Sequence, residues 1–485
     1  MFLRKQWLLQ LLLAVVLLGQ LLNASASDTK SYYIDDPIFG GQAYIVEAGH
    51  RNKELVVLVH GLGDVAADTW TRFIPKLAKH YRVLTFDLPG FGRSSKSNQL
   101  YSPDNYVAFI NYLVKQTGHE QFMLVGHSMG GNIALRFAAT YPYKVKRLML
   151  VDAAGVLHRT TYTSYFTHYG INMAPQFYPE QGQDIRSIAG AILGELARRN
   201  NVVQAGEEMV LSDPMMRERL MGGNPTTIAA YAMMMTDYSE TLSSMKVPTL
   251  ILWGAKDNVI PLRTGKVLAT NLPNSGLIVL SNAGHVLMED EPLIFSNWLR
   301  RFVSESEDGF QSLLNDKKYR LEKGSDNNSK RIASCKNSSG KVFKGNYRLI
   351  TIENCHNVEI ESARIGSLTI RNSQVVINNS HIKSPGKAVL VENSDLQVNG
   401  STISGLPAIE FNKSQLDIAG TTLQSSGAAL KNADEAPAVQ QRRPGPLGML
   451  DTNETTIIFS VSFLNSKYYD RLLHGPINFK PEQAW

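Results

Sequence analysis

Five residues, Gly126-His127-Ser128-Met129-Gly130, constrain this chain more than any others. They follow a short apolar run, Phe122-Met123-Leu124-Val125, and precede a helical pattern from Asn132 to Ala139. A Gly-x-Ser-x-Gly turn between a strand and a helix is a nucleophile elbow in the making. The turn is tight, so glycine is needed where a Cβ would crowd the backbone. It lifts the Ser128 hydroxyl clear of the sheet and aims the first N–H groups of the following helix at it, which favours negative charge there. A chance match in a glycine-rich turn is the plain alternative. The elbow has meaning only if the chain also supplies a base, an acid and an oxyanion donor.

The chain has 485 residues, 43% of them hydrophobic, enough for two or three domains with real cores. Residues 1–26 read as a signal peptide: Arg4 and Lys5 precede an apolar run from Trp7 to Leu22, and Ala24-Ser25-Ala26 fits a cleavage site. An uncleaved anchor is the rival, and the run is short for a spanning helix. Export to the periplasm or outside the cell is the expectation. The formal net charge is +6, two units of which sit in the leader. No basic block is dense enough for nucleic acid. Cys335 and Cys355 are the two cysteines, and no histidine cluster with metal-ligand spacing lies near them. No metal and no cofactor are expected.

From residue 27 to about 303, strands alternate with helices, which implies a mostly parallel sheet. Leu55–Val59 is a β-branched run suited to burial on both faces, and His60-Gly61-Leu62-Gly63 follows it. Val83–Phe86 ends in the loop Asp87–Ser94. Leu148–Val151 closes at Asp152, Thr249–Trp253 at Gly254-Ala255-Lys256-Asp257, and Leu277–Leu280 at Asn282-Ala283-Gly284-His285. Ala43–Val46 reads as an early antiparallel strand, and Pro103–Gln116 as a helix.

These motifs, in this order, resemble the α/β-hydrolases. The resemblance implies Ser128 as nucleophile, His285 as base and Asp257 as the orienting acid, with Leu62 and Met129 supplying the oxyanion N–H groups. A serine hydroxyl is a weak nucleophile until an imidazole takes its proton, and that imidazole needs an acid behind it. Asp152 also ends a strand and is the rival acid, since some relatives carry the acid there. His60 reads as ordering the oxyanion turn, His127 as structural, and Glu289 and Asp290 as caps of the helix through Trp298.

Residues 156–246 lack clear strands and are expected to form a helical cap, with helical periodicity at Ile185–Leu196 and Thr227–Met235. The segment is rich in Tyr162, Tyr165, Phe166, Tyr169, Phe177, Tyr178, Met215, Met216, Met221 and Met233 to Met235. Such side chains suit either an acyl-chain pocket or ordinary cap core.

Residues 304–331 read as a polar linker with one helix at Phe310–Leu321. Beyond it, a repeat of about twenty residues aligns Cys355, Ser373, Ser394 and Ser414, with apolar residues at fixed offsets. Ile352, Ile370, Val391 and Phe411 form one such row. The region 332–430 therefore resembles a right-handed parallel β-helix, whose handedness comes from the resemblance. Cys335 then lies one coil before Cys355, within reach of a disulfide between adjacent strands about 4.8 Å apart. The acidic residues of the repeat are scattered, so a binding or spacer role is expected rather than a second catalytic centre. Residues 431–485 read as a loop and tail, with Thr456–Val461 a final strand over an open end.

The expected function is an exported serine hydrolase of carboxylic esters, of lipase or carboxylesterase type, acting through an acyl-enzyme on Ser128. Its partners would be a small ester or lipid, a membrane surface, and a polymer or protein at the β-helix. Two rivals remain: a C–C bond hydrolase of the same fold, and a non-catalytic surface-binding protein. Peptidase and haloperoxidase activities are weaker alternatives.

Overall fold

A computed structural model describes residues 29–157, 211–315, 329–432, 456–467 and 470–478. The expected leader 1–26 lies outside these residues, as do the cap aromatics Tyr162 to Tyr178 and the Ile185–Leu196 pattern.

The first sheet has eight strands: β1 (Lys30–Asp35), β2 (Gln42–Ala48), β3 (Leu55–Val59), β4 (Arg82–Phe86), β5 (Phe122–His127), β6 (Val145–Val151), β7 (Thr249–Gly254) and β8 (Ser275–Leu280). Their order is β1-β2-β4-β3-β5-β6-β7-β8. β1 and β2 are antiparallel and the rest are parallel. All five residues of β3 are buried, so both faces of the sheet are covered. Strand β1 was not foreseen: Lys-Ser-Tyr-Tyr-Ile-Asp lies at an edge with little burial, and so carries little alternation.

On one face lie α1 (Pro103–Thr117) and α2 (Met129–Thr140). Helix α1 begins where Ser102 Oγ accepts from Asn105 N, with Pro103 in the first turn, and stops at Gly118 with φ 75°. The described part of the cap contains α3 (Pro214–Met221) and α4 (Pro225–Met234), each begun by a side-chain cap from Asp213 or Asn224. Helix α4 is buried from Ile228 through Met234 and rests on α1 and α2. Met221, Met233 and Met234 are thus cap core, whereas Met215 is exposed. Helix α5 (Leu262–Asn271) completes this layer.

The other face carries α6 (Pro292–Ser304) and α7 (Glu307–Asn315). Phe310, Leu313 and Leu314 of α7 are buried under the sheet, and the Arg147 guanidinium stands 4.5 Å from the Phe310 ring centroid. The first unit therefore runs past the boundary expected at residue 303, and the helix starts at Glu307 rather than Phe310. The polar run Lys323–Asn328 that also suggested a linker lies outside the described residues.

The second unit is a 14-stranded sheet whose strands pair in parallel, except for Asp470–Asn478, which lies antiparallel to Thr456–Asn465. Ile352 pairs with Ile370, Ile370 with Val391, and Val391 with Phe411, so the apolar row expected from the repeat is in register. At one corner the left-handed backbone falls on Asn337, Asn354, Asn372, Asn393 and Lys413, and at another on Ser362, Asn379, Gly400, Gly420 and Val461. Asparagine tolerates this region, and here it also bonds to its own kind in the next coil. Asn354 Nδ2 donates to Asn337 Oδ1 at 3.0 Å, Asn372 to Asn354 at 3.1 Å, and Asn393 to Asn372 at 2.8 Å. The aligned serines form an inner ladder: the N–H groups of Cys355, Ser373 and Ser394 donate to the hydroxyls of Ser373, Ser394 and Ser414, at separations of 18, 21 and 20 residues.

Thr456–Asn465 does not cover an open end. It is one more pass of the coil, parallel to Gln415–Ala419 and to Thr422–Gln424. Thr421 N donates to Ser462 Oγ across 41 residues, about twice the period, so this pass carries an insertion.

Cys335 and Cys355 are disulfide-bonded with Cα atoms 6.4 Å apart. They are not counterparts on adjacent strands. Cys335 pairs with Ile352 and Cys355 with Ser338, because the first coil is shorter than the twenty-residue period that suggested the match. The bond instead crosses the coil interior, and both sulfurs are buried in the apolar core. Closing a 20-residue loop should stabilise this first coil by about 3 kcal/mol. Cys335→Ser with Cys355→Ser should lose that amount in urea unfolding, and no change in midpoint would count against it.

The two units meet along α5. Arg263 makes a bidentate pair with Asp417 at 2.6 and 3.0 Å, and Lys266 reaches Glu361 at 3.1 Å. Ala419 and Val461 belong to the same buried cluster as Val267 and Leu268. Gly420, with φ 56°, packs so closely that a Cβ there would stand 2.8 Å from Asn271 Nδ2.

Candidate active site

Strand β5 ends at His127, and α2 begins at Met129, so one residue makes the turn. That residue, Ser128, has φ 53° and ψ −118°, a conformation that costs about 1–3 kcal/mol and persists only where the surroundings enforce it. The enforcement is visible. A Cβ on Gly126 would lie 2.2 Å from the Gly130 oxygen, and one on Gly130 would lie 2.4 Å from the oxygens of Val59 and His60. The helix therefore sits directly against the end of β3.

The three residues read as nucleophile, base and acid come together from the ends of three strands. His285 Nε2 is 3.0 Å from Ser128 Oγ, and His285 Nδ1 is 2.9 Å from Asp257 Oδ2. Asp257 follows β7 and is held by two more donors, Val259 N and Ile260 N, each 2.8 Å from Oδ1. With Asp257 accepting at Nδ1–H, the His285 tautomer leaves Nε2 free to accept the serine proton. All three residues are at least nine-tenths buried.

The Leu62 turn crosses the elbow. A Cβ on Gly61 would come within 3.0 Å of Ser128 Cβ, so this backbone is seated against the serine. Met129 opens α2, and the N–H of a first helical residue has no carbonyl a turn behind it. His60 ties the turn down. Its Nδ1 contacts Gly61 O at 2.6 Å, and its Nε2 accepts from Leu88 N at 2.8 Å. Only a neutral ring protonated on Nδ1 satisfies both, and burial pushes His60 down to about 4. The Asp87 loop beyond it is held by Arg93, whose Nε and Nη2 reach Asp87 at 2.7 and 3.0 Å. Burial alone would raise Asp87. The Arg93 hydrogen bonds outweigh it and hold the carboxylate below its usual range.

Three neighbours named from the sequence have contacts that only the fold reveals. His127 Nε2 is 2.8 Å from the His285 carbonyl oxygen, so it donates there and fixes the loop that carries the base. Burial, and then the His285 charge, push His127 down to about 3, so its ring stays neutral. Asp290 does not cap the helix after it. Its Oδ2 accepts from Gly284 N at 2.7 Å and braces the same loop. Asp152, the rival acid, is fully buried with φ 43°, and its Oδ1 accepts from Gly254 N at 2.9 Å. Burial, and then the Asp257 charge, push Asp152 well above the usual carboxylate range. No hydrogen bond joins Asp152 to the His285 ring; Asp257 makes that contact.

Among the described residues, His127, Asp152 and His285 bring metal-ligand atoms within 4.8 Å of one another. Both nitrogens of His285 and Nε2 of His127 are already engaged in the bonds above. The two histidines therefore belong to the hydrogen bonds of the site, and Asp152 lies beside them, bonded to Gly254 N.

Two buried neutral histidines make the fold acid-sensitive. Their unfolded value is 6.5, and the folded values are about 4 for His60 and about 3 for His127. Below pH 6.5 the unfolded chain takes up protons that the folded chain refuses, so stability falls with falling pH. Each histidine contributes about 1.4 kcal/mol per pH unit over that window. The raised Asp152 works in the opposite sense. His60→Gln should flatten the stability slope between pH 6 and 4.5 by about 1.4 kcal/mol per unit in denaturant titrations. An unchanged slope would show that His60 is not the group responsible.

Residues 54–292 match the family model for the alpha/beta hydrolase fold. The uncharacterized hydrolase YugF of Bacillus subtilis is 28% identical over 270 residues, covering 54% of this chain and 95% of that protein. A 2-hydroxy-6-oxononadienedioate/2-hydroxy-6-oxononatrienedioate hydrolase of Paraburkholderia phymatum is 28% identical over 271 residues, 52% of this chain and 88% of that one. Among solved structures, a bacterial membrane phospholipase A has 23% identity and a TM-score of 0.44, covering 63% of this chain and 99% of its own. The strand order and the elbow agree with that match, and residues 54–292 have the alpha/beta hydrolase fold.

Proposed function

We propose that this chain is an exported serine hydrolase of carboxylic esters, working through an acyl-enzyme on Ser128. One observation carries the reading: His285 bridges Ser128 Oγ at 3.0 Å and Asp257 Oδ2 at 2.9 Å. In the first step His285 Nε2 takes the Ser128 proton as Oγ attacks the ester carbonyl. The carbonyl oxygen becomes negative and is met by the N–H groups of Leu62 and Met129. Each such donor is worth about 3–4 kcal/mol in the transition state. His285 then returns the proton to the leaving alcohol, and a water deprotonated by the same nitrogen releases the acid. Asp257 holds the ring in this orientation and stabilises the imidazolium.

The buried apolar α4 beside the elbow supports an uncharged substrate with a hydrophobic acyl chain. The leader-like residues 1–26 support a periplasmic or secreted location and contact with a membrane surface. The 332–465 region is proposed to be a parallel β-helix that binds a polymer or protein surface. Its support is the in-register rows and the asparagine and serine ladders.

A second reading, hydrolysis of a C–C bond in a vinylogous diketone, is favoured by the name of the Paraburkholderia relative. Chromogenic esters of rising chain length, tested beside such a diketone, separate the two. Turnover of esters that vanishes in Ser128→Ala supports the first reading. Turnover of the diketone alone replaces it with the second.

A further inference from the structure

Asp152 has no part in the relay just described, yet it is buried within it. It ends β6, and its residue adopts φ 43°, a conformation unusual for a side chain other than glycine, asparagine or aspartate. One of its oxygens lies within 4.8 Å of ring nitrogens of both His285 and His127. Oδ1 accepts from Gly254 N, whereas Oδ2 is buried and meets no donor. The ionisable groups facing it are Asp257 after β7, His285 after β8, His127 at the end of β5 and Asp290 in the short helix Leu287–Asp290. None donates a hydrogen to Oδ2, and Asp257, whose charge and side chain both act on Asp152, accepts in the bonds it makes.

Two carboxyl groups side by side in a dry site cannot both be charged, and one must hold a proton. The donors decide which. Asp257 accepts from Val259 N, Ile260 N and His285 Nδ1, which together stabilise a charge. Asp152 has a single donor, Gly254 N. The proton therefore belongs on Asp152. Burial and the Asp257 charge push its acidity in the same direction.

We propose that Asp152 is a positioning residue: a proton-bearing carboxyl behind His285 that steadies Asp257 and, when Asp257 is neutralised, gives up its proton and supports the imidazole in its place. The second half rests on the reaction proposed above, and the first half does not. In Asp257→Asn the like charge is gone while burial, the larger cause, remains, so Asp152 ionises only as the pH is raised, within 4.8 Å of a His285 ring nitrogen. No covalent bond changes. One proton leaves Asp152 for solvent, and the imidazolium formed during attack is paired with Asp152 instead of Asp257.

Two measurements test this. The first is infrared spectroscopy of full-length protein with isotope-labelled aspartate, at neutral pH. A protonated-carboxyl band is expected that disappears in Asp152→Asn, an isosteric change. The absence of the band, or its survival in that variant, overturns the proposal whether or not the protein hydrolyses esters. The second is ester turnover in Asp257→Asn and in Asp152→Asn/Asp257→Asn. Neutralising a triad acid costs about 10⁴-fold where no second acid exists. Here Asp257→Asn should retain at least about 10-fold more activity than the double variant, with its rate rising at higher pH as Asp152 ionises. Equal rates in the two, with both folded by circular dichroism, overturn the reserve role. Turnover that persists in Ser128→Ala discards the proposed reaction, and the infrared result still decides where the proton resides.

Discussion

Ser128→Ala is expected to remove ester turnover by about 10⁵- to 10⁶-fold while leaving the fold intact. The size of the effect follows from the geometry. The Ser128 hydroxyl lies 3.0 Å from His285 Nε2, and it stands at the end of a strained turn whose cost is met by the packing of β3, β5 and α2. Removing the hydroxyl leaves the oxyanion N–H groups and the pocket, which alone retain only modest catalysis. Because alanine at this position keeps a Cβ and loses only the Oγ contact with His285 Nε2, the unfolding midpoint should change little. Parallel measurement of kcat and of urea unfolding checks both halves. A loss of both together would mean that Ser128 is structural.

The second large effect concerns a residue with no functional atom. Gly130→Ala should destabilise the protein by about 3 kcal/mol and cut turnover by about 100-fold. The added methyl would meet the oxygens of Val59 and His60 at 2.4 Å, and these are backbone atoms that cannot rotate away. Helix α2 must retreat. Met129 N–H and the Leu62 turn then separate, and the oxyanion site opens with them. The nearby Gly131 offers a contrast, since its Cβ would meet the side chain of Ala153 at 2.6 Å as well as backbone atoms. If Gly130→Ala folds and turns over like the parent, the close approach of α2 to β3 is not what shapes the site.

The hydrolase unit was largely legible because each of its functional residues ends a strand and is announced by a short local pattern. Ser128 needs only its own turn, and His285 only Gly284 and the strand before it. The choice between Asp257 and Asp152 was not local. Both close parallel strands, and only the packed structure puts Asp257 against Nδ1 and leaves Asp152 with one donor. The roles of His127 and Asp290 were hidden for a similar reason, since each acts on the backbone of a loop that is distant in sequence or folded back on itself.

In the second unit the apolar rows were legible because alternate side chains of each strand face the interior, as Val389 and Val391 or Ile409 and Phe411 do. Coil length was not, because corners absorb extra residues without disturbing the rows. That is why Cys335 seemed to match Cys355 when its true neighbour is Ile352. It is also why Thr456–Asn465, displaced by an insertion, seemed to be a cover rather than another coil. Helix α7 was expected, from Phe310, but as part of a linker, because its exposed face is polar and only Phe310, Leu313 and Leu314 are buried.

The central claim is that His285 makes Ser128 a nucleophile. Rapid mixing with an activated ester, followed by acid quench and peptide mass spectrometry, addresses it directly. The account predicts a burst of one acyl group per chain, carried on Ser128 and absent in both Ser128→Ala and His285→Ala. Steady ester turnover with no acyl group on Ser128, or an acyl group carried by another residue, would contradict it.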